Sequence, residues 1–88
     1  MNPPLVRIAW TPRAKRALAA LPEKVATAAV EFSHGSLAED PRRVGKPLRN
    51  ELEGLHSARR GDFRIIFRIS DEVTILAIEH RADAYHTG

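Results

Sequence analysis

Two groups of side chains in this 88-residue chain can do chemistry. The first is Arg64 and Arg68, in the run Phe63-Arg64-Ile65-Ile66-Phe67-Arg68-Ile69. Read as a strand, that run sends alternate side chains to opposite faces. Phe63, Ile65, Phe67 and Ile69 then face a core, and Arg64, Ile66 and Arg68 face the open side. A guanidinium fork holds two phosphate oxygens at once, so arginines on an uncovered sheet face suit a phosphodiester. The plainer reading is that they pair with Glu51, Glu53 or acids of a neighbouring strand, or are solvated. The second group is His80, Arg81, Tyr85 and His86, just after the last strand. Imidazole moves protons near neutral pH. Tyrosine stacks on a base or donates a hydrogen bond, and arginine neutralises charge on a crowded phosphate. His56 reads as a partly buried structural histidine, and His34 as a surface residue.

Charge is concentrated where the first group lies. The net +3 divides into +1 over residues 1–41, +5 over 42–68 and −3 over 69–88. The cationic middle holds Arg42, Arg43, Lys46, Arg49, Arg59, Arg60, Arg64 and Arg68. Such a local excess favours a polyanionic partner. The absence of cysteine excludes a disulfide scaffold, a thiolate metal site and a cysteine nucleophile. The four histidines include no i,i+4 pair, so no metal and no cofactor is expected. No phosphate-cradling glycine loop and no nucleophile elbow is present. Met1-Asn2-Pro3-Pro4 lacks the features of a signal peptide, and no apolar run approaches the ~20 residues of a membrane span. A cytoplasmic protein is expected, with residues 1–88 as one domain.

The elements that must position these groups follow from periodicity. Leu5 to Trp10 reads as a strand, central in its sheet. Thr11 caps a helix with Pro12 in its first turn, running to about Ala20. A second, alanine-rich helix spans about Pro22 to Ala38, with Val25, Ala29 and Phe32 on one face. Asp40 to Pro47 reads as a loop because it holds two prolines and a glycine. Leu55 to Arg60 is a candidate strand. Phe63 to Ile69 and Val73 to Glu79 form a hairpin across Ser70-Asp71-Glu72. The order β-α-α-β-β-β implies an α+β fold, a mostly antiparallel sheet with a helical hairpin on one face.

Across Gly45-Lys46-Pro47-Leu48 and Leu52-Glu53-Gly54-Leu55-His56-Ser57-Ala58-Arg59-Arg60-Gly61-Asp62-Phe63-Arg64-Ile65-Ile66-Phe67, the sequence resembles the RelE/ParE superfamily of bacterial toxins. Within it the RelE/YoeB branch is the nearest in pattern. The likeness extends to the opening strand ending in Trp10, the two helices and the closing His80-Arg81…Tyr85. The resemblance implies a metal-independent endoribonuclease that cuts mRNA in the ribosomal A site. In that reaction a ribose 2′-OH attacks the adjacent phosphate. A cognate antitoxin of RelB or Phd type would neutralise it. Arg64 matches the arginine that stabilises transition-state charge. Arg81 matches the one assigned to phosphate contact or proton donation, and Tyr85 the tyrosine that orients the nucleotide. Arg59 and Arg60 match paired arginines of YoeB-like members. Lys46 and Arg49 fall in the basic segment that would meet an RNA backbone.

One position departs from that pattern. YoeB-like members carry a glutamate as general base in the Gly-Lys-Pro region, and Lys46-Pro47-Leu48-Arg49 has none. Glu51 and Glu53 follow a few residues later. His80, His56 and a lysine or arginine of depressed pKa are further candidates, with His80 preferred, and His86 can replace Tyr85 as the terminal acid. Two other classes stay open: a ParE-like gyrase inhibitor, and a non-catalytic homologue that serves as an antitoxin-bound regulatory partner. A cationic open face with Ile66 exposed on it suits an acidic, partly disordered segment of the antitoxin.

Overall fold

A computed structural model describes residues 5–48 and 54–80. Arg49, Glu51, Glu53, Arg81, Tyr85 and His86 lie outside the described residues. Strand β1 (Ile8–Trp10) leads into helix α1 (Pro12–Ala20) and helix α2 (Glu23–Phe32), which continues as a π-helical turn, Ser33–Leu37. A short helix α3 (Pro41–Val44) precedes β2 (Lys46–Pro47), β3 (Leu55–Arg60), β4 (Phe63–Ile69) and β5 (Val73–His80). The five strands form one sheet in the order β1-β5-β4-β3-β2. β1 runs parallel to β5 and the other pairs are antiparallel. The class is α+β, as the sequence implies.

Local chemistry explains the start of α1. The Thr11 hydroxyl accepts a hydrogen bond from the Ala14 N–H at 3.1 Å and donates one to the Ile75 carbonyl at 3.0 Å. One side chain therefore caps the helix and ties it to β5. The two helices cover one sheet face, where Phe67, Leu37, Ile65, Ile75 and Val73 are fully buried. Buried Ser33 donates from its hydroxyl to the Ala29 carbonyl at 2.7 Å, which satisfies it within its own helix. Among the described residues no helix is long and apolar enough to cross a membrane.

Two expectations about the elements differ from the structure. β1 is an edge strand of three residues, not a central one. Its apolar side chains are half-buried against the core rather than enclosed by a second flanking strand: Ile8 and Trp10 pair with Val73 and Ile75 on the covered face. The segment expected as a loop holds α3 and β2. Asp40 caps α3 by accepting from the Arg43 N–H at 3.3 Å, and Pro41 sits in the first turn, where a missing N–H costs nothing. The following Gly45 is buried, and a Cβ there would lie 2.5 Å from the Phe67 ring. Only glycine lets the chain pass that close to the core.

The β3–β4 hairpin turns through Gly61 and Asp62, with Arg60 paired to Phe63 and Gly61 at φ 56, a conformation favoured by glycine. The β4–β5 hairpin is less regular. Ile69, Arg68 and Phe67 pair with Val73, Thr74 and Ile75; then Ile66 pairs with Ala77, and Leu76 is passed over. This β-bulge reverses the facing of the remainder of β5.

Candidate nucleic-acid interface

Directly paired residues of an antiparallel sheet share a face, with Cβ atoms roughly 4.5–5.5 Å apart. The pairing therefore builds the open face rung by rung. One rung runs Arg59–Arg64–Glu79 across β3, β4 and β5. The next runs Lys46–Ser57–Ile66–Ala77, and the third Leu55–Arg68–Thr74. Lys46, Arg59, Arg64 and Arg68 are exposed, Ile66 is half-buried, and among the described residues no helix covers this side. Val44, Lys46, Ser57, Arg59 and Arg64 line a shallow concavity of ≈ 480 Å³.

Electrostatics make this face receptive to anions. Two guanidinium groups placed directly opposite each other repel, at a cost on the order of 0.5 kcal/mol at an exposed site. The Glu79 carboxylate lies 3.6 Å from the Arg64 guanidinium, with the two side chains 62% and 46% exposed. A pair that open to water contributes roughly 0–1 kcal/mol. Glu79 faces Arg64 across β5, while Arg59 has only Arg64 as its paired neighbour on β4 and the rung of Lys46 holds no described carboxylate. A phosphodiester entering the concavity would supply the missing negative charge.

The rungs bring together Lys46, Arg59, Arg64 and Arg68, as the sequence pattern expects. They do not include Arg60. That residue pairs with Phe63 on the helix-covered side, and its guanidinium carbon lies 5.5 Å from the centre of the Phe32 ring. Strand alternation separates it from Arg59, so one arginine of the pair faces the open side and the other braces α2. His80 is also placed apart from Arg64. It pairs with Phe63, because the bulge at Leu76 turns the end of β5 over, and so stands on the covered side. His56 pairs with Phe67 on that same side and stacks on its ring, centroids 5.6 Å apart at 21°. That agrees with its reading as a partly buried structural histidine. His34 is exposed, as expected, but not idle: its Nε2 accepts a hydrogen bond from the Trp10 indole at 3.1 Å. Arg49, Arg81 and Tyr85 lie outside the described residues.

Glu79 is the member of the open face that the sequence reading passes over. Counting back from the Ser70-Asp71-Glu72 turn with no irregularity sets Ile78, not Glu79, against Arg64. The signal was present in β5 itself: apolar Val73 and Ile75 alternate correctly, but the next core residue is Ile78. That slip in phase marks a bulge.

Comparison with known proteins agrees with the fold. The family model described as ParE toxin of type II toxin-antitoxin system, parDE, matches residues 8–85. The chain is 53% identical over 81 residues to the protein named Toxin RelE of Mycobacterium tuberculosis, spanning 89% of this chain and 84% of that one. It is 51% identical over 81 residues to Toxin RelG of the same organism, spanning 89% and 93%. The toxin–antitoxin complex RelBE2 from Mycobacterium tuberculosis contains a chain that superposes with a TM-score of 0.86 at 46% identity, covering 88% of this chain and 99% of that chain. The archaeal RelE–RelB complex from Pyrococcus horikoshii has the same fold, with a TM-score of 0.67 at 24% identity over 88% of this chain and 96% of that chain. On this sequence match and these identities, the chain belongs to the RelE/ParE family of toxins of type II toxin–antitoxin systems.

Proposed function

We propose that the protein is a metal-independent endoribonuclease that cuts mRNA on the ribosome and so halts translation in the cytoplasm. The observation that carries this reading is the Arg59–Arg64 rung on the open face, flanked by Lys46 and Arg68. Cleavage by a 2′-OH needs cations against the phosphate as its charge becomes crowded. Arg64, at the centre of the rungs, stabilises that charge, and Lys46, Arg59 and Arg68 hold the flanking backbone. Arg81 and Tyr85 contribute a phosphate contact and nucleotide stacking by their match to the family pattern, and Arg49 a backbone contact.

A cognate antitoxin is the protein partner. Two of the similar structures are complexes of RelE-type toxins with RelB-type antitoxins. An acidic antitoxin segment laid over Lys46, Arg59 and Arg64, with an apolar side chain on half-buried Ile66, would block RNA from the same surface. RNA cleavage measured with and without the antitoxin tests this, and undiminished cleavage by the complex contradicts it.

The matching family model bears the ParE name. That favours a second reading, in which the protein inhibits DNA gyrase. Translation in a purified system, with mRNA ends mapped by primer extension, separates the two. Codon-spaced cuts that vanish in Arg64→Ala support the nuclease. An absence of cuts, with gyrase-dependent DNA breaks, supports the inhibitor.

A further inference from the structure

The family pattern's general base is missing from Gly45 to Leu48 of this chain, and both described histidines that could replace it face the wrong way. His56 and His80 pair with Phe67 and Phe63 on the helix-covered side. Arg64 faces the other side. Among the described residues, the proton acceptor on its rung is Glu79.

Resting on the nuclease reading above, we propose that Glu79 is a catalytic residue, the general base that takes the proton from the attacking 2′-OH. Placement supports this. A base and the cation that holds the scissile phosphate must be neighbours, because the 2′ oxygen and the phosphorus it attacks are about 3 Å apart in a reactive conformer. Glu79 and Arg64 are direct cross-strand partners, and their charged ends lie 3.6 Å apart, near enough to flank one 2′-OH and its phosphate. Glu79 is also 62% exposed, so a nucleotide lying over Arg64 can reach it. The bulge at Leu76 is what makes this possible. Without it, Ile78 would oppose Arg64 and the carboxylate would point into the helices.

The step balances without a metal. The 2′ oxygen forms a bond to phosphorus as the bond from phosphorus to the 5′ oxygen breaks. The 2′-OH proton passes to a Glu79 carboxylate oxygen, and the leaving 5′ oxygen takes a proton from water. The products are a 2′,3′-cyclic phosphate and a free 5′-OH. Glu79 then releases its proton to solvent.

The test is single-turnover cleavage of ribosome-bound mRNA by wild type, Glu79→Gln, Glu79→Asp and Arg64→Ala, with binding measured in parallel on 2′-deoxy-blocked mRNA. Glu79→Gln is expected to lose at least about 100-fold in cleavage rate, the scale of general-base catalysis, while binding stays within a few-fold of wild type. Glu79→Asp should recover part of the rate. A substrate with sulfur in place of the 5′ leaving oxygen should not rescue Glu79→Gln, since a better leaving group replaces an acid but not a base. If Glu79 only offsets the charge of Arg64, Glu79→Gln will bind more tightly and cleave at the wild-type rate, and that result overturns the proposal. An inactive Arg64→Ala beside a fully active Glu79→Gln does the same while leaving the nuclease reading intact. A wild-type protein that never cuts ribosome-bound mRNA overturns both.

Discussion

Arg59 and Arg64 are direct cross-strand partners on β3 and β4, on the sheet face opposite the core. Their like charges repel, and nothing in the packing of the helices needs them there. Folding alone would favour an opposite-charge or apolar pair at these positions. A surface that accepts such a cost, with Lys46 and Arg68 on the adjoining rungs, fits the proposed binding of a phosphodiester. Glu79 beside Arg64 holds part of that field in balance until then.

Arg64 should therefore matter for activity and hardly at all for stability. Replacing it with alanine removes one water-exposed ion pair, which changes unfolding free energy by less than about 1 kcal/mol. Cleavage should fall on the order of 10²–10³-fold, the usual effect of losing one donor to a transition-state anion. Thermal melting and single-turnover kinetics on the same preparation check both halves. A large loss of melting temperature would contradict the facing of Arg64.

Arg59 and Arg60 are adjacent in sequence but should differ in kind. Arg59→Ala should weaken RNA binding and lower the slope of log affinity against log salt by roughly one unit, as for the loss of one phosphate contact. Arg60→Ala should leave that slope unchanged and destabilise the fold by about 0.5–1 kcal/mol, through loss of its contact with the Phe32 ring. Salt titrations of RNA affinity and chemical denaturation of the two variants separate the roles. An unchanged slope in Arg59→Ala would remove it from the interface.

Gly45 should resist any side chain. An added Cβ would fall 2.5 Å from the buried Phe67 ring and 3.0 Å from the Pro41 carbonyl oxygen. Gly45→Ala should cost about 1–3 kcal/mol, typical of an overpacked core. Gly35, around which a Cβ finds open space, should tolerate alanine and gain from its better helix propensity. Denaturant unfolding of both variants checks the contrast, and equal stabilities would mean that the Phe67 ring moves aside freely.

Much of this architecture is legible in the residues. The Thr11-Pro12 start of α1, the Phe63–Ile69 strand and the outward facing of Arg64 and Arg68 all follow from capping and period-two alternation. What escapes is set mostly by contacts beyond the local pattern, the exception being the slip in phase from Ile75 to Ile78 within β5. β1 is apolar because helices cover it, so its composition resembles that of a central strand although it lies at an edge. The prolines of residues 40–47 signal a break in regular structure. Yet Pro41 also opens a short helix, and Pro47 forms part of an edge strand, where a proline is tolerated. The one-residue bulge at Leu76 has the largest effect on the site, since it removes His80 from the open face and places Glu79 there.

The proposed role of the open-face arginines is RNA cleavage by 2′-OH attack. It is tested most directly by adding the purified protein to ribosomes programmed with a defined mRNA and analysing the cut ends chemically. Cuts at codon spacing are expected, with a 2′,3′-cyclic phosphate on one side and a 5′-OH on the other, absent from Arg64→Ala and from mRNA carrying a 2′-deoxy sugar at the cut site. Intact mRNA under these conditions, with DNA breaks appearing instead when gyrase is supplied, would contradict it.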